Sequence, residues 1–486
     1  SIQKDALGED HSDYSQSLNN LANLFYSSGR FPDAEKLIKE AIHIREKNLG
    51  VNHRYYLRSI SVLASIYDKM NLYGKAEPLH KECKNTRERV LGVHHPEYLE
   101  SLNNLALFYW QTSPTQSLLF FQELSPLTQS LITKASYHLS ERELNNYLQT
   151  FSLRQNEILS FTQQPDFQAS ELTQTCFDNS LFFKGFLLNN ANKLQRIALT
   201  DSLTTESYYQ LKAYKRRLSA EYAKPIAERK NVEELEEKAN ALEKELARSV
   251  AGFESATRQV TWQEVQSALR PTEAAIEFVH YRYMTPKETD STMYAALVLL
   301  PGAAAPAFVP LCEERELTAL LQGGSGGREA MLASIYRGNL GIVPDVAEVG
   351  KPLYDLVWQP LADLLRGVQT VHFSPSGLLH RFNLSAIRTP EGGILADRHP
   401  LIALGSTRQL VPEANVPFDN RGSGAVLFGG IHFETDSTLA LATPPPVDST
   451  AIAAVFSPDR SPVAYMDSTL RGDTWKYLPG TAREVG

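Results

Sequence analysis

The chain has 486 residues, 42% of them apolar, with a net charge of −8. That length allows two or more domains of a soluble globular protein, and the acidic balance argues against nucleic-acid binding through a global basic field. No run of eighteen apolar residues and no signal peptide is present, so neither membrane insertion nor secretion is expected. Three scattered cysteines, Cys83, Cys176 and Cys312, are too few for a disulfide framework or a zinc site. A cytoplasmic location, no cofactor and no metal are the expectations.

Residues 7 to 110 repeat with a period of 42. Leu7-Gly8, Leu49-Gly50 and Leu91-Gly92 align, as do His11, His53 and His95, then Tyr14, Tyr56 and Tyr98, then Ala22, Ala64 and Ala106; Ala34-Glu35 matches Ala76-Glu77, and Arg45-Glu46 matches Arg87-Glu88. Such a period marks stacked supersecondary units, none of which buries its apolar face alone. Leu18, Leu21, Ala22 and Phe25 recur at helical spacing, and Ala34, Leu37, Ile38 and Ala41 do so in a second helix, with Gly29-Pro32 and Asn71-Gly74 at the turns. This pattern resembles tetratricopeptide repeats of the longer, kinesin-light-chain-like kind. A third unit opens at Leu91, but after Trp110 the stretch QTSPTQSLLFFQELSPL fits the template poorly, so the array is expected to decay there.

In a solenoid of this type the first helix of each unit lines the concave face. Positions one turn either side of the small alanine are Asn19, Asn23 and Tyr26, then Ser61, Ser65 and Asp68, then Asn103, Leu107 and Trp110. Of these Asn19, Asn23, Tyr26, Ser61, Ser65, Asn103 and Trp110 are the candidate partner-binding residues, because amide side chains in a groove hold an extended peptide backbone through paired hydrogen bonds. A solvated helix face without a ligand is the alternative. The three loop histidines read as helix caps rather than metal ligands.

From about Leu118 to Val250 the chain is helical without a repeat, and Asn231 to Arg248, rich in Glu and Lys, is expected to be a long exposed or coiled-coil helix. Beyond Phe253 the pattern changes. Ala274–Tyr283, Tyr294–Leu300 and Ala307–Cys312 read as strands, Glu313–Gln322 as a short helix, and GGSGG (323–327) as a flexible loop. An amphipathic helix Leu353–Leu365, a strand Val368–Phe373 running into Ser374-Pro375-Ser376-Gly377, a short run Leu401–Leu404 and a strand Ala425–Gly430 continue an α/β pattern. GSGA before that last strand lacks the Lys-Ser/Thr ending of a phosphate loop.

Four segments in this half, TWQEVQSALRPTEAAIEFVHY (261–281), SPSGLLHRFNLSAI (374–387), AVLFGG (425–430) and YLPGTAREV (477–485), in that order resemble the CHAT domain, the caspase- and separase-like cysteine peptidases of prokaryotes. The resemblance implies a multidomain α plus α/β protein: repeats over 1–115, a helical linker over 116–252, and the N-terminal part of a caspase-like sheet domain over 253–486. It further implies hydrolysis of a peptide bond in a partner protein, with the repeats binding an activator or substrate. Relatives work in bacterial defence, either cutting gasdermins or serving as the protease partner of an RNA-guided effector. In the family the catalytic histidine and cysteine lie beyond the LPGT motif. No matching motif occurs here, so no catalytic residue is expected within the chain. His380 with Cys312 and His372 with Cys176 are poor substitutes, since Glu313-Glu314 after Cys312 would raise a thiol pKa. Because the chain opens Ser1-Ile2-Gln3 and stops at Gly486 beside a mid-domain motif, a longer polypeptide is expected. A non-enzymatic repeat adaptor with a degenerate CHAT-like module is the competing expectation.

Overall fold

The computed structural model describes residues 11–168, 171–199, 202–250, 259–285, 288–322, 353–390 and 392–411. The expected loop at 323–327, the strand at 425–430 and the motif at 477–485 lie outside the described residues.

Six helices form three hairpins: α1 (Ser12–Ser27) with α2 (Phe31–Leu49), α3 (Arg54–Lys69) with α4 (Tyr73–Leu91), and α5 (Pro96–Thr112) with α6 (Pro114–Ala135). Small residues set the pairing. Ala22, Ala64 and Ala106 on the first helices, and Ala34 and Ala76 on the second, are fully buried where backbones approach. Each first helix is capped by the loop histidine, whose Nδ1 accepts the amide two residues on: His11 from Asp13, His53 from Tyr55 and His95 from Glu97, each at 3.2 Å. The turns inside the first two hairpins need a left-handed residue, Gly29 in the first unit (φ 75°) and Asn71 at the same place in the second (φ 58°).

The repeat also preserves its polar contacts. Arg45 Nη1 donates to the carbonyl of Tyr55 (2.9 Å) and to Ser59 Oγ (2.7 Å), and 42 residues later Arg87 Nη1 does the same to Glu97 (3.0 Å) and Ser101 (2.8 Å). Both guanidinium groups are buried between one unit and the next. Tyr67 OH donates to Glu35 (3.0 Å), and Tyr109 OH repeats this to Glu77 (2.7 Å). These bonds join second helix to following first helix, so they act between units rather than within them.

The third hairpin corrects the expected decay after Trp110. Helix α6 closes it and runs to Ala135, one residue out of register with the template: Ser117 stands where Ala34 and Ala76 stand, fully buried and donating to the Ala106 carbonyl (2.7 Å). A single deletion and an Ala-to-Ser exchange hid the unit from the repeat pattern.

Among the described residues seven further α-helices follow before the sheet: α7 (Glu141–Gln149), α8 (Ser152–Thr162), α9 (Leu172–Phe183), α10 (Phe186–Ala198), α11 (Ser202–Tyr222), α12 (Val232–Val250) and α13 (Trp262–Ala268). Helix α12 is not a free exposed rod. It pairs with α11 over Tyr208, Leu211, Ala239 and Leu246, and Lys215 bridges to Glu243 at 2.8 Å.

The sheet contains β1 (Glu273–Met284), β2 (Glu288–Leu299), β3 (Ala307–Glu313), β4 (Thr370–Ser374) and β5 (Leu401–Ala403) in the order β3-β2-β1-β4-β5. The first three form an antiparallel meander, with Phe278 opposite Ala296 and Leu297 opposite Phe308; β4 adds parallel to β1, with Ile276 beside Phe373, and β5 adds parallel to β4. The sheet is therefore mixed, within a mostly helical protein. Helix α14 (Glu314–Gln322) follows β3. The expected helix at 353–365 is broken: residues 353–357 are helical, and Gln359–Leu361 is a 3-10 turn at Pro360, which has no N–H to continue an α-helix.

Both faces of the sheet are covered. Ile276, Phe278, Ala296 and Phe373 pack under Leu317, Tyr354 and Trp358. On the other face Ala275, Val279, Leu297 and Phe308 meet Phe161, Phe177 and Trp262, and the same cluster takes in Trp110 and Phe121 of the third hairpin. Helices α8, α9 and α13 thus form a layer of the sheet's core, in keeping with strands that read as continuous apolar runs, while α10, α11 and α12 pack in a cluster of their own.

Replacing Arg45 or Arg87 by Met should lower stability by about 2 kcal/mol each, because buried carbonyl and hydroxyl acceptors lose a charged donor. Urea unfolding followed by circular dichroism measures this. The double variant should fall short of the sum if the two interfaces melt as one unit.

Candidate functional site

The face formed by the first helices of the repeats separates the seven predicted residues into two groups. Asn23, Tyr26, Ser65 and Asn103 are half-buried and remain at the surface. Burial, followed by the nearby Asp68 carboxylate, raises the Tyr26 phenol pKa above its ordinary 10.0. The enclosed Oδ1 atoms of Asp68 and Asn103 have no hydrogen-bond partner among the described residues, while the other Asp68 oxygen meets His80 Nε2 at 2.7 Å.

The remaining three are corrected. Asn19 is fully buried: its Oδ1 accepts from Arg45 Nη1 and Ser59 Oγ, both at 3.2 Å, so it belongs to the lock between the first and second units. Ser61 is buried and accepts from Asn104 Nδ2 at 3.2 Å. Trp110 is 7% exposed and packs edge-on against Phe161 and Phe121, with centroids 5.4 and 6.4 Å away, because the layer over the sheet covers the end of α5. Sequence spacing placed all seven on one helix stripe, but the neighbouring unit decides which part of that stripe stays open.

A second polar assembly sits where the parallel strands end, which is where open α/β sheets build their sites. Glu277 in β1 is completely buried. Its carboxylate meets Lys184 Nζ (2.8 Å) and accepts from Ser180 Oγ (3.1 Å), Ser406 Oγ (3.0 Å), and the amide and hydroxyl of Thr407 (2.6 and 2.8 Å). Lys184, just after α9, also donates to the carbonyls of Phe278 (2.6 Å) and Ser374 (3.1 Å) and to Ser374 Oγ (2.9 Å). Burial pulls the Lys184 pKa down while the Glu277 charge opposes the fall. All its ammonium donors are engaged, so this pair holds the strand ends in place and is no free base. Sequence reading missed it; a lone Glu inside the apolar run AAIEFVHY was the available signal.

Cys83, Cys176 and Cys312 are buried and free, and burial is the first cause that pushes each thiol up to about 12. None is activated for nucleophilic attack. His372 is buried within 3.6 Å of Glu273. His380 stands in a 3-10 turn after β4, as the sequence placed it.

The family model for the tetratricopeptide repeat matches residues 13–88. Those residues are tetratricopeptide repeats. Such repeats generally mediate protein–protein interactions. A search of curated proteins returns no match. Among solved structures, BtubC (BKLC) from P. vanneervenii is similar at 20% identity and a TM-score of 0.23, over 24% of this chain and 46% of that one; the chain thus spans under half its length. Two structures of a Podosopora anserina putative kinesin light chain with nearly identical TPR-like repeats are similar at 14% and 16% identity, with TM-scores of 0.24 and 0.23. They cover 51% and 40% of this chain and 99% and 98% of theirs. Among the described residues no helix is long and apolar enough to cross a membrane.

Asn19→Ala should destabilise the tetratricopeptide repeats by about 1–3 kcal/mol in thermal or urea melts, since Arg45 Nη1 and Ser59 Oγ each lose a buried acceptor, whereas Asn23→Ala should leave stability within about 0.5 kcal/mol of the parent. With 5,5′-dithiobis(2-nitrobenzoate) at pH 7.5 the three thiols should stay silent in the folded protein and react together once it is unfolded in denaturant.

Proposed function

We propose that this chain is the partner-sensing portion and the opening part of the peptidase domain of a CHAT-type, caspase-like cysteine endopeptidase, with the tetratricopeptide repeats receiving an activator or substrate. The observation that carries the reading is the shared core between the two halves. Trp110 and Phe121 of the third hairpin lie in one apolar cluster with β1, β2 and β3, and Lys184 from the same helical layer ties β1 to β4. A partner seated on the repeats therefore acts on helices that hold the strand ends directly. The resemblance of residues 261–281 and 374–387 to the CHAT domain supplies the chemistry: attack by a cysteine thiolate, made nucleophilic by a histidine, on a peptide carbonyl. In the family that these segments resemble, both groups follow the LPGT motif. The proposed substrate is a protein, of the gasdermin kind or one presented by an RNA-guided effector.

A second reading, a non-catalytic repeat adaptor, is favoured by the three inert thiols and by the fully engaged Glu277–Lys184 pair. The test is the complete gene product. Expressed with its partner, it should cleave that partner, and changing the cysteine downstream of the LPGT motif to alanine should abolish cleavage while leaving binding to the repeats intact. Binding without cleavage in the unmodified protein selects the adaptor.

A further inference from the structure

His280 and Ser376 carry chemistry that neither the repeats nor the strand-end ion pair uses. Ser376 lies two residues past the end of β4, and its Oγ is 2.6 Å from Nδ1 of His280, an exposed residue on the outer part of β1. That spacing is within the reach expected between a nucleophile and its base. Two features build the pair rather than leave it to chance. The His280 ring stacks on Tyr294, with centroids 5.7 Å apart and planes 25° from parallel; the Tyr294 hydroxyl accepts the Leu378 amide (2.8 Å) and donates to Glu314 (2.9 Å). One tyrosine thus holds both the imidazole and the turn that bears the serine. Gly377, at φ +55°, brings that turn so close that an added Cβ would sit 2.2 Å from the Tyr294 oxygen and 3.1 Å from the His280 ring. A side chain at 377 would push the serine off the imidazole.

We propose that Ser376 and His280 form a nucleophile–base pair for acyl transfer from small, unhindered esters at the C-terminal edge of β4. His280 Nδ1 takes the hydroxyl proton as Ser376 Oγ bonds to the ester carbonyl carbon. Collapse breaks the bond to the alcohol, which leaves with that proton. Water then attacks the acyl-serine, its proton passing through His280 back to Ser376 Oγ, so that ester and water yield acid and alcohol with no other reagent. The groups facing His280 suit a base that is neutral at pH 7. Loss of solvent around the ring comes first, and the positive charges of Lys184 and His380 add to it; together they outweigh the Glu314 carboxylate and hold the imidazole below its ordinary 6.5.

The full chain should be treated at pH 7.5 with a fluorophosphonate probe and mapped by peptide mass, and separately mixed with p-nitrophenyl acetate. The expected result is an adduct on Ser376 and a burst of p-nitrophenol. Ser376→Ala should remove both, and His280→Gln should slow labelling about a hundredfold while circular dichroism stays unchanged. The labelling rate should rise with pH through an inflection below 6.5. An unlabelled Ser376 in the parent protein, or equal labelling in a folded His280→Gln variant, overturns the proposal and reduces the contact to a strut for the turn. The burst needs no variant, so a misfolded substitution does not rescue the idea.

Discussion

The carboxylate of Glu277 is the constraint around which the second half of this protein is arranged. An ionised carboxylate with no access to water costs several kcal/mol unless a counter-charge and further donors surround it. Here the counter-charge comes from Lys184 after α9, and the donors come from Ser180 in α9 and from Ser406 and Thr407 after β5. No two of these segments are close in sequence to β1: Ser180 is 97 residues away and Thr407 is 130. Satisfying one charge thus fixes the helical layer, the centre of the sheet and its far edge relative to one another. Apolar packing alone would tolerate sliding between such layers, whereas a set of short, directed bonds to one carboxylate does not.

The repeats solve a different problem with a related device. Each hairpin leaves a helix face open, and the next hairpin packs against it, with small alanines for approach and a buried arginine of the earlier unit for register. Arg45 and Arg87 read the same two acceptors on the following helix, a carbonyl and a serine hydroxyl, so the stacking geometry is copied from one unit to the next. Where the array meets the sheet the copying stops being visible but the stacking continues. Ser117 takes over from alanine, and Trp110, an open position in a simple array, is roofed by Phe161. The end of the solenoid and the start of the sheet's covering layer are one packed body.

Much of this architecture was legible before any coordinates. The 42-residue period, the paired helices, the loop histidines as caps and the apolar strands between Ala274 and Cys312 all follow from spacing, because helix and strand periodicities are local properties of the chain. The third hairpin was not legible, since one deleted residue breaks the register on which repeat recognition depends. The expected helix at 353–365 overlooked Pro360. Asn19 was read as a groove residue because a helix stripe does not say which neighbour will lie against it.

Local spacing specifies the set of elements: a helical repeat array, then helices, then a β-rich region with a turn at Ser374 to Gly377. How those elements meet is a matter of three-dimensional packing. It buried Asn19, Ser61 and Trp110 while leaving Asn23, Ser65 and Asn103 at the surface, turned part of the expected linker, α8 and α9, into one face of a core, and brought His280 against Ser376 from 96 positions apart. The reason is physical. Periodicity is written in residues three or four apart, whereas burial, ion pairing and nucleophile–base contact depend on which distant segment arrives, and that is settled by the packing of the whole.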